Sequence, residues 1–106
     1  MSVQQITPTE FILRRDSGDD VVLIDVREPH EVEICSIGGR NIPLKELITR
    51  KEEVPRDKTV VIHCKSGGRS TKAVELLQQQ GYSNLFNLNG GILRWIDEID
   101  STLTKY

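Results

Sequence analysis

Two runs of consecutive apolar residues constrain the fold of this chain more than any other feature. The first occupies residues 21–26 and reads Val-Val-Leu-Ile-Asp-Val, and the second occupies residues 59–63 and reads Thr-Val-Val-Ile-His. A strand with one solvated face alternates apolar and polar residues, whereas a strand covered on both faces is apolar almost throughout. Both runs therefore predict buried strands of a parallel sheet.

Helical patterns alternate with strand patterns along the chain. Thr7, Pro8 and Glu10 predict a helix that begins with a capping box and runs to about residue 16. Further helices are predicted after the Glu-Pro pair at 28–29, over residues 70–80 and after the glycine pair at 90–91, with short strands around residue 42 and over residues 84–88. This alternation predicts an α/β fold with a mainly parallel sheet. A chain of 106 residues is expected to form one domain, residues 1–106.

The charge balance excludes some classes of function. Lys and Arg number 14 against 16 Asp and Glu, a formal net charge of −2. A general nucleic-acid binder usually has a basic excess, so we expect no nucleic-acid partner. No apolar run approaches the roughly 20 residues that span a bilayer, and the first residues do not form a secretion signal. We therefore expect a cytoplasmic monomer without a membrane partner.

The main candidate for chemistry is Cys64, which follows the second predicted strand. It opens the segment Cys-Lys-Ser-Gly-Gly-Arg-Ser, residues 64–70, that leads into a predicted helix. Active sites of parallel α/β folds form beyond the carboxyl ends of the strands. A tight turn at a helix N-terminus directs backbone N–H groups inward, and Gly67 and Gly68 permit that conformation. The sequence therefore predicts an anion cradle around a nucleophilic Cys64 thiolate.

The other residues of this loop are predicted to bind the substrate and the charged sulfur. Lys65 and Arg69 supply positive charge for an oxyanion, and the same loop contributes Ser66, Gly67 and Gly68, with Ser70 in a supporting role. The N–H groups would also stabilise a persulfide anion on Cys64. A single cysteine after a strand is often only a packing residue, and a glycine pair is often only a turn. The combination of a strand, Cys64, two glycines, Arg69 and a helix favours a catalytic role over these structural ones.

Asp25 and Arg27 end the first predicted strand at the same edge of the sheet as Cys64. They are predicted to support the site, either as an ion pair that holds loops together or by positioning the substrate. His63 precedes Cys64, but successive strand residues point to opposite faces, which favours a packing or surface role over a catalytic base. Cys35 is predicted to be a small core residue, with resolution of a persulfide or a disulfide with Cys64 as the alternative.

The remaining polar and aromatic candidates are predicted to have structural roles. Trp95 is expected in the core, His30 in a solvated turn, and residues 50–56 in a charged surface loop that could contact a protein acceptor. The histidines and cysteines lack the paired spacing of metal ligands. We therefore expect neither a metal ion nor another cofactor.

Taken together, these segments resemble the single-domain rhodaneses, the thiosulfate sulfurtransferase family. The resemblance covers nearly the whole chain and includes Asp-Val-Arg-Glu at 25–28, the Cys64 loop and Gly-Gly-Ile-x-x-Trp at 90–95, in this order. It implies a five-stranded sheet flanked by helices on both faces. It also implies that Cys64 takes a sulfane sulfur from thiosulfate or a persulfide donor, and passes it to a thiophilic acceptor. That acceptor would be cyanide in vitro and a thiol or sulfur-carrier protein in vivo.

Two alternative functions stay open beside this resemblance, and one segment of the chain differs from the family pattern. Residues 95–106 are similar to the ends of rhodanese domains fused to ubiquitin-like-protein activating enzymes, so the chain could be a partner-dependent relay or docking module with little activity on thiosulfate. A Cys-dependent phosphatase or arsenate reductase is the other alternative, although related dual-specificity phosphatases have Cys-x5-Arg and this chain has Cys-x4-Arg. Residues 35–40 read Cys-Ser-Ile-Gly-Gly-Arg where the family often has Gly-His-Ile-Pro-Gly-Ala.

Overall fold

The computed structural model describes residues 2–106, which contain one five-stranded sheet. Its strands are β1 (Gln5–Ile6), β2 (Val21–Asp25), β3 (Arg40–Asn41), β4 (Thr59–His63) and β5 (Leu85–Leu88). Their spatial order is β1-β5-β4-β2-β3, and every neighbouring pair is parallel. The predicted α/β fold with a parallel sheet is confirmed, and the single-domain organisation stays a prediction.

The described residues also form four α-helices, three of which connect strands while the fourth follows β5. They are α1 (Pro8–Asp16), α2 (Pro29–Ile34), α3 (Gly68–Gln79) and α4 (Gly91–Glu98), with short 3-10 helices at Leu44–Glu46 and Lys51–Glu53. The capping box of α1 forms as predicted, because the Thr7 side chain accepts from the Glu10 N–H at 3.1 Å and the Glu10 carboxylate accepts from the Thr7 N–H at 2.8 Å. Between residues 2 and 106, no helix combines the length and the apolar character needed to cross a membrane.

Alternate residues of the central strand β4 face two separate cores. Val60 and Ile62 point towards α3 and pack with its apolar face of Ala73, Val74 and Leu77. Val61 points to the other side, where it packs with Phe11 of α1 and Trp95 of α4. Helices therefore cover both faces of the sheet, which explains why residues 21–24 of β2 and 60–62 of β4 are all apolar.

The boundaries of several elements differ from those predicted. β1 was not predicted, because two residues carry no period that a sequence pattern could show. The third strand comprises Arg40–Asn41, just before the expected Ile42. Helix α3 begins at Gly68 rather than residue 70, because Gly67 takes the N-cap position with a φ of +118°. The charged loop after residue 50 contains a 3-10 turn.

Candidate active site

Cys64 lies between the carboxyl end of β4 and the N-terminus of α3, and its sulfur accepts two backbone hydrogen bonds. The N–H of Gly67 donates to Sγ at 3.1 Å and the N–H of Ser70 donates to it at 3.4 Å. Neutral thiols are weak acceptors, whereas N–H groups directed at one atom stabilise negative charge there. Cys64 is only 1% exposed, so these two donors act on a sulfur that is shielded from water.

The conformation of Gly67 makes this cradle. Its φ of +118° lies in the left-handed region, which residues with a Cβ atom disfavour. The turn lets the carbonyl of Gly67 accept from the N–H and hydroxyl of Thr71 while its own N–H faces Cys64. Two backbone N–H groups therefore converge on the Cys64 sulfur, as the predicted cradle requires, and anion binding there stays a prediction. Within residues 2–106, neither Ser66 nor Gly68 donates a hydrogen bond to the Cys64 sulfur.

The hydroxyl of Ser70 connects Cys64 to strand β5. Its oxygen lies 3.4 Å from the Cys64 sulfur and donates a closer hydrogen bond to Asn87 Oδ1. Asn87 is held in this orientation because its Nδ2 donates to Gln5 Oε1 at 2.8 Å. The single hydroxyl proton can therefore go to Asn87, to the Gly67 carbonyl at 3.2 Å or to a negatively charged sulfur. Sequence reasoning did not single out Asn87, although a buried asparagine within an apolar strand was a usable signal.

The N-terminus of α4 packs directly on the backbone of the Cys64 loop. The N–H of Ile92 donates to the Cys64 carbonyl at 3.0 Å, and the N–H of Leu93 donates to the Lys65 carbonyl at 3.1 Å. Gly91 stands at this contact with a φ of +61°, and a Cβ on it would come within 2.5 Å of the Lys65 oxygen. From the sequence, the glycine pair indicated only a helix start. The structure shows that it permits close approach of two backbones.

The two predicted substrate-binding cations already have partners within the protein. Arg69 Nη1 and Nη2 donate to the two carboxylate oxygens of Glu31 at 2.6 and 2.8 Å. Lys65 Nζ lies 4.5 Å from the centroid of the Tyr106 ring, which is a cation–π contact. The hydrogen bonds from Arg69 hold the pKa of Glu31 well below its ordinary value, against the opposing effect of burial. Glu31 is therefore an anion beside the site.

Asp25 and Arg27 form an ion pair behind the site, and both residues are 0% exposed. Arg27 Nη2 lies 2.7 Å from Asp25 Oδ2, and Arg27 Nε donates to Asp25 Oδ1 at 3.0 Å. Its other donors reach the backbone carbonyls of Glu31 and Cys35 and the hydroxyl of Tyr106. This geometry supports loop holding rather than substrate contact.

Glu31 and Tyr106 belong to this cluster, although neither was predicted as a site residue. The Tyr106 hydroxyl donates to Glu31 Oε2 at 2.7 Å and accepts from Arg27 Nη1 at 3.0 Å. Glu31 lies in the segment that follows β2, where its place beside a conspicuous Asp-Val-Arg-Glu stretch was a usable signal. Tyr106 lies 75 positions further along the chain, and no sequence signal connected it to the site.

The model of the rhodanese-like domain family matches residues 7–98. The chain belongs to the rhodanese-like domain family. Tyr106 lies outside the matched residues, whereas the Cys64 loop and the Gly91 contact lie within them.

Relatives of this rhodanese-like domain support a function in sulfur transfer. It is 38% identical over 94 residues to a sulfurtransferase of Allochromatium vinosum, covering 88% of each chain. It is also 38% identical over 104 residues to the probable adenylyltransferase/sulfurtransferase MoeZ of Mycobacterium tuberculosis, covering 95% of this chain and 26% of MoeZ. The chain thus spans about a quarter of MoeZ.

A solved structure has the same fold. The crystal structure of a rhodanese-related protein from Thermoplasma volcanium superposes with a TM-score of 0.81 at 35% sequence identity. The match covers 91% of this chain and 93% of that chain. The predicted resemblance to rhodaneses and the predicted five-stranded fold are both confirmed.

His63 of the rhodanese-like domain faces Asp25. The two residues are paired in the β2–β4 register, and His63 Nε2 lies 3.5 Å from Asp25 Oδ2. The ring is fully buried, and its Nδ1 lies 3.3 Å from the backbone carbonyl of Cys64. Of the two predicted roles, this environment supports packing. Burial lowers the pKa of His63, with the charge of Asp25 opposing it.

The buried His63 predicts a specific loss of stability in mild acid. Because its pKa is lower in the folded state, the unfolded chain binds a proton first. The stabilising contribution is full above the ordinary pKa of 6.5 and declines as the pH falls below it. The free energy of unfolding should fall by up to about 1.4 kcal/mol per pH unit in that window. Urea unfolding between about pH 7.5 and pH 5 measures this slope.

Two variants test whether the His63 imidazole causes this pH dependence of the free energy of unfolding. His63→Gln should flatten the pH dependence, because it removes the titrating group from beside Asp25. His30→Gln serves as the control, since His30 is the other histidine and its side chain is exposed. Equal slopes for wild type and His63→Gln would contradict the assignment.

The second thiol, Cys35, lies in the core. It packs against Ile92 and Ile96, and both cysteines are free thiols. This placement favours the predicted core role over the redox alternative. Within the part of the chain that the structure describes, no group of three or more His, Cys, Asp or Glu side chains is arranged to hold a metal ion.

Proposed function

We propose that this rhodanese-like domain is a sulfurtransferase that carries a sulfane sulfur on Cys64 as a persulfide. The observation that carries the proposal is the pair of N–H groups, from Gly67 and Ser70, directed at the Cys64 sulfur. Such a cradle stabilises a thiolate before transfer and a persulfide anion after it. The Cys-x4-Arg spacing suits a sulfur atom better than the larger phosphate ester that Cys-x5-Arg loops accommodate.

Loading from thiosulfate is a displacement at sulfur. The Cys64 thiolate attacks the outer sulfur, a new Sγ–S bond forms, and the S–S bond of thiosulfate breaks with its electron pair leaving on sulfite. The terminal sulfur of the persulfide keeps the negative charge. Lys65 and Arg69 are the groups that would hold the sulfite oxygens, alongside backbone N–H groups of the loop. Arg69 can do so while paired with Glu31, because a guanidinium has five N–H donors and the pair uses two of them.

Unloading restores the enzyme. A nucleophilic acceptor attacks the terminal sulfur of the persulfide, the Sγ–S bond breaks, and Cys64 leaves as the thiolate. With cyanide the product is thiocyanate, and with a thiol or a carrier-protein nucleophile it is the sulfurated acceptor. Each half-reaction transfers one sulfur atom between nucleophiles and needs no external oxidant or reductant.

Intact-protein mass spectrometry after incubation with thiosulfate tests the proposal. Wild type should gain the mass of one sulfur atom and lose it on addition of cyanide, while Cys64→Ser should gain nothing. Cys35→Ser is the matched control, because it removes the other buried thiol and should still gain the adduct. Absence of an adduct on wild type with both thiosulfate and a small alkyl persulfide would refute the function.

A second candidate is a relay module that a protein partner loads. The observation in its favour is that Glu31 and Tyr106 already occupy the two cations beside a nearly buried Cys64. Glu31 neutralises the Arg69 charge, so a free oxyanion is attracted more weakly to the donors that Arg69 has left, whereas a docked protein donor could deliver sulfur without using them. Slow loading by thiosulfate combined with fast loading by a persulfidated protein donor would favour the relay.

A further inference from the structure

Tyr106 is linked to both cations of the candidate site, to Lys65 by direct contact and to Arg69 through Glu31. Its ring lies under the ammonium of Lys65, and its hydroxyl donates to Glu31, which in turn holds Arg69. We propose that Tyr106 is a positioning residue that sets how this domain binds the oxyanion end of a sulfur donor. The inference rests on the proposed sulfur transfer at Cys64 and extends it to donor selection.

The hydroxyl of Tyr106 is fixed from two sides. It gives its one proton to Glu31 Oε2 at 2.7 Å and accepts a hydrogen bond from Arg27 Nη1 at 3.0 Å. Arg27 is fully buried and anchored by Asp25, so it provides a rigid base for this contact. Glu31 Oε2 also accepts from Arg69 at 2.8 Å. Tyr106 and Arg69 therefore share one carboxylate oxygen, and the position of one depends on the other.

The ring of Tyr106 acts on the second cation. Lys65 has a flexible four-carbon stem, and its ammonium lies 4.5 Å from the ring centroid, within the range of a cation–π contact. This contact restricts Lys65 to one region beside the loop. Without the ring, the ammonium would spread over many positions in water, and a donor oxyanion would have to order it on binding.

Family membership does not supply this role, because Tyr106 lies beyond residues 7–98 matched by the family model. The proposed role of Tyr106 follows from its contacts in this chain. It predicts an effect on donor binding rather than on the displacement step, because Tyr106 orients Lys65 and Arg69 while the Gly67 and Ser70 N–H groups stay in place around the sulfur.

Single-turnover persulfide formation at varied donor concentration separates these effects. With thiosulfate, Tyr106→Ala should raise the half-saturating concentration about tenfold and change the limiting rate by less than about twofold. Tyr106→Phe keeps the ring and loses the hydroxyl, so about a threefold rise is expected. With 2-hydroxyethyl persulfide, whose body has no oxyanion, both variants should match wild type.

Tyr82→Phe is the matched control. The Tyr82 hydroxyl also bonds two partners, the backbone carbonyls of Lys51 and Val54 at 2.7 and 3.0 Å, and neither of them is a residue that Tyr106 contacts. This variant should lose stability in urea and keep the donor dependence of wild type. All proteins are compared under conditions where urea titration shows them to be folded.

The outcomes distinguish this inference from the function on which it rests. If wild type is loaded by neither donor, the proposed sulfur transfer fails. If wild type is loaded but Tyr106→Ala and Tyr106→Phe keep its half-saturating thiosulfate concentration, positioning by Tyr106 is wrong. Equal losses with both donors would also overturn it, because they would show a general loosening of the loop.

Discussion

Replacing Asp25 with asparagine is expected to lower the free energy of unfolding by about 3–5 kcal/mol, because it leaves a guanidinium buried without its counter-charge. Asp25 and Arg27 are both completely buried. Burial alone lowers the pKa of Arg27, but hydrogen bonds with Asp25 and Tyr106 more than offset this and hold it above its ordinary value. Asp25→Asn removes the carboxylate, but an arginine side chain keeps its proton in proteins, so Arg27 cannot escape the penalty by becoming neutral. Urea unfolding of Asp25→Asn measures the loss.

Two further variants show whether burial is the cause. Arg94 and Glu98 form an exposed ion pair with the same 2.7 Å separation, and Glu98→Gln should cost only about 0.2–1 kcal/mol. The double variant Asp25→Asn with Arg27→Met removes both charges and should recover part of the stability lost by Asp25→Asn. A loss for Asp25→Asn no larger than that for Glu98→Gln would contradict the prediction.

The second large effect is expected at the contact between α4 and the Cys64 loop. In Gly91→Ala the left-handed conformation costs about 1–2 kcal/mol, and overlap with a packed backbone adds about 1–3 kcal/mol. The new Cβ would lie within 2.5 Å of the Lys65 carbonyl oxygen, and no flexible side chain is there to yield. The loop backbone must move, so persulfide formation should slow by about a hundredfold in the protein that still folds.

Gly18→Ala separates the two causes. Gly18 has a φ of +93°, and a Cβ there would meet nothing within 4 Å. This variant therefore has the conformational penalty alone, and its loading rate by thiosulfate should equal that of wild type. Urea unfolding and single-turnover loading of both variants check the difference. If Gly91→Ala loses no more stability and no more loading rate than Gly18→Ala, the close approach of α4 to the Cys64 loop contributes to neither.

Much of the fold followed from patterns that are local in the sequence. The β-branched runs predicted β2 and β4 because strands covered on both faces exclude polar residues wherever they lie in the chain. The capping box at Thr7 and Glu10 predicted the start of α1 because its two hydrogen bonds span only three positions. The Cys64 cradle was also predictable, since the strand, the glycine pair and the helix that build it are consecutive. The short strand β1 was missed because it forms only by pairing with β5, far along the chain.

The partners of the two cations beside Cys64 were decided by the tertiary structure alone. The sequence by itself determined that Lys65 and Arg69 lie beside Cys64, because they share one short loop. It did not determine that Glu31 would hold Arg69 across 38 positions or that Tyr106 would lie under Lys65. Contacts between residues so far apart exist only once strands and helices have brought them together. The hydrophobic periodicity of a short segment does not indicate which distant residue it will contact. The positions and charges of the groups that a sulfur donor meets at this site therefore depend on residues outside the loop.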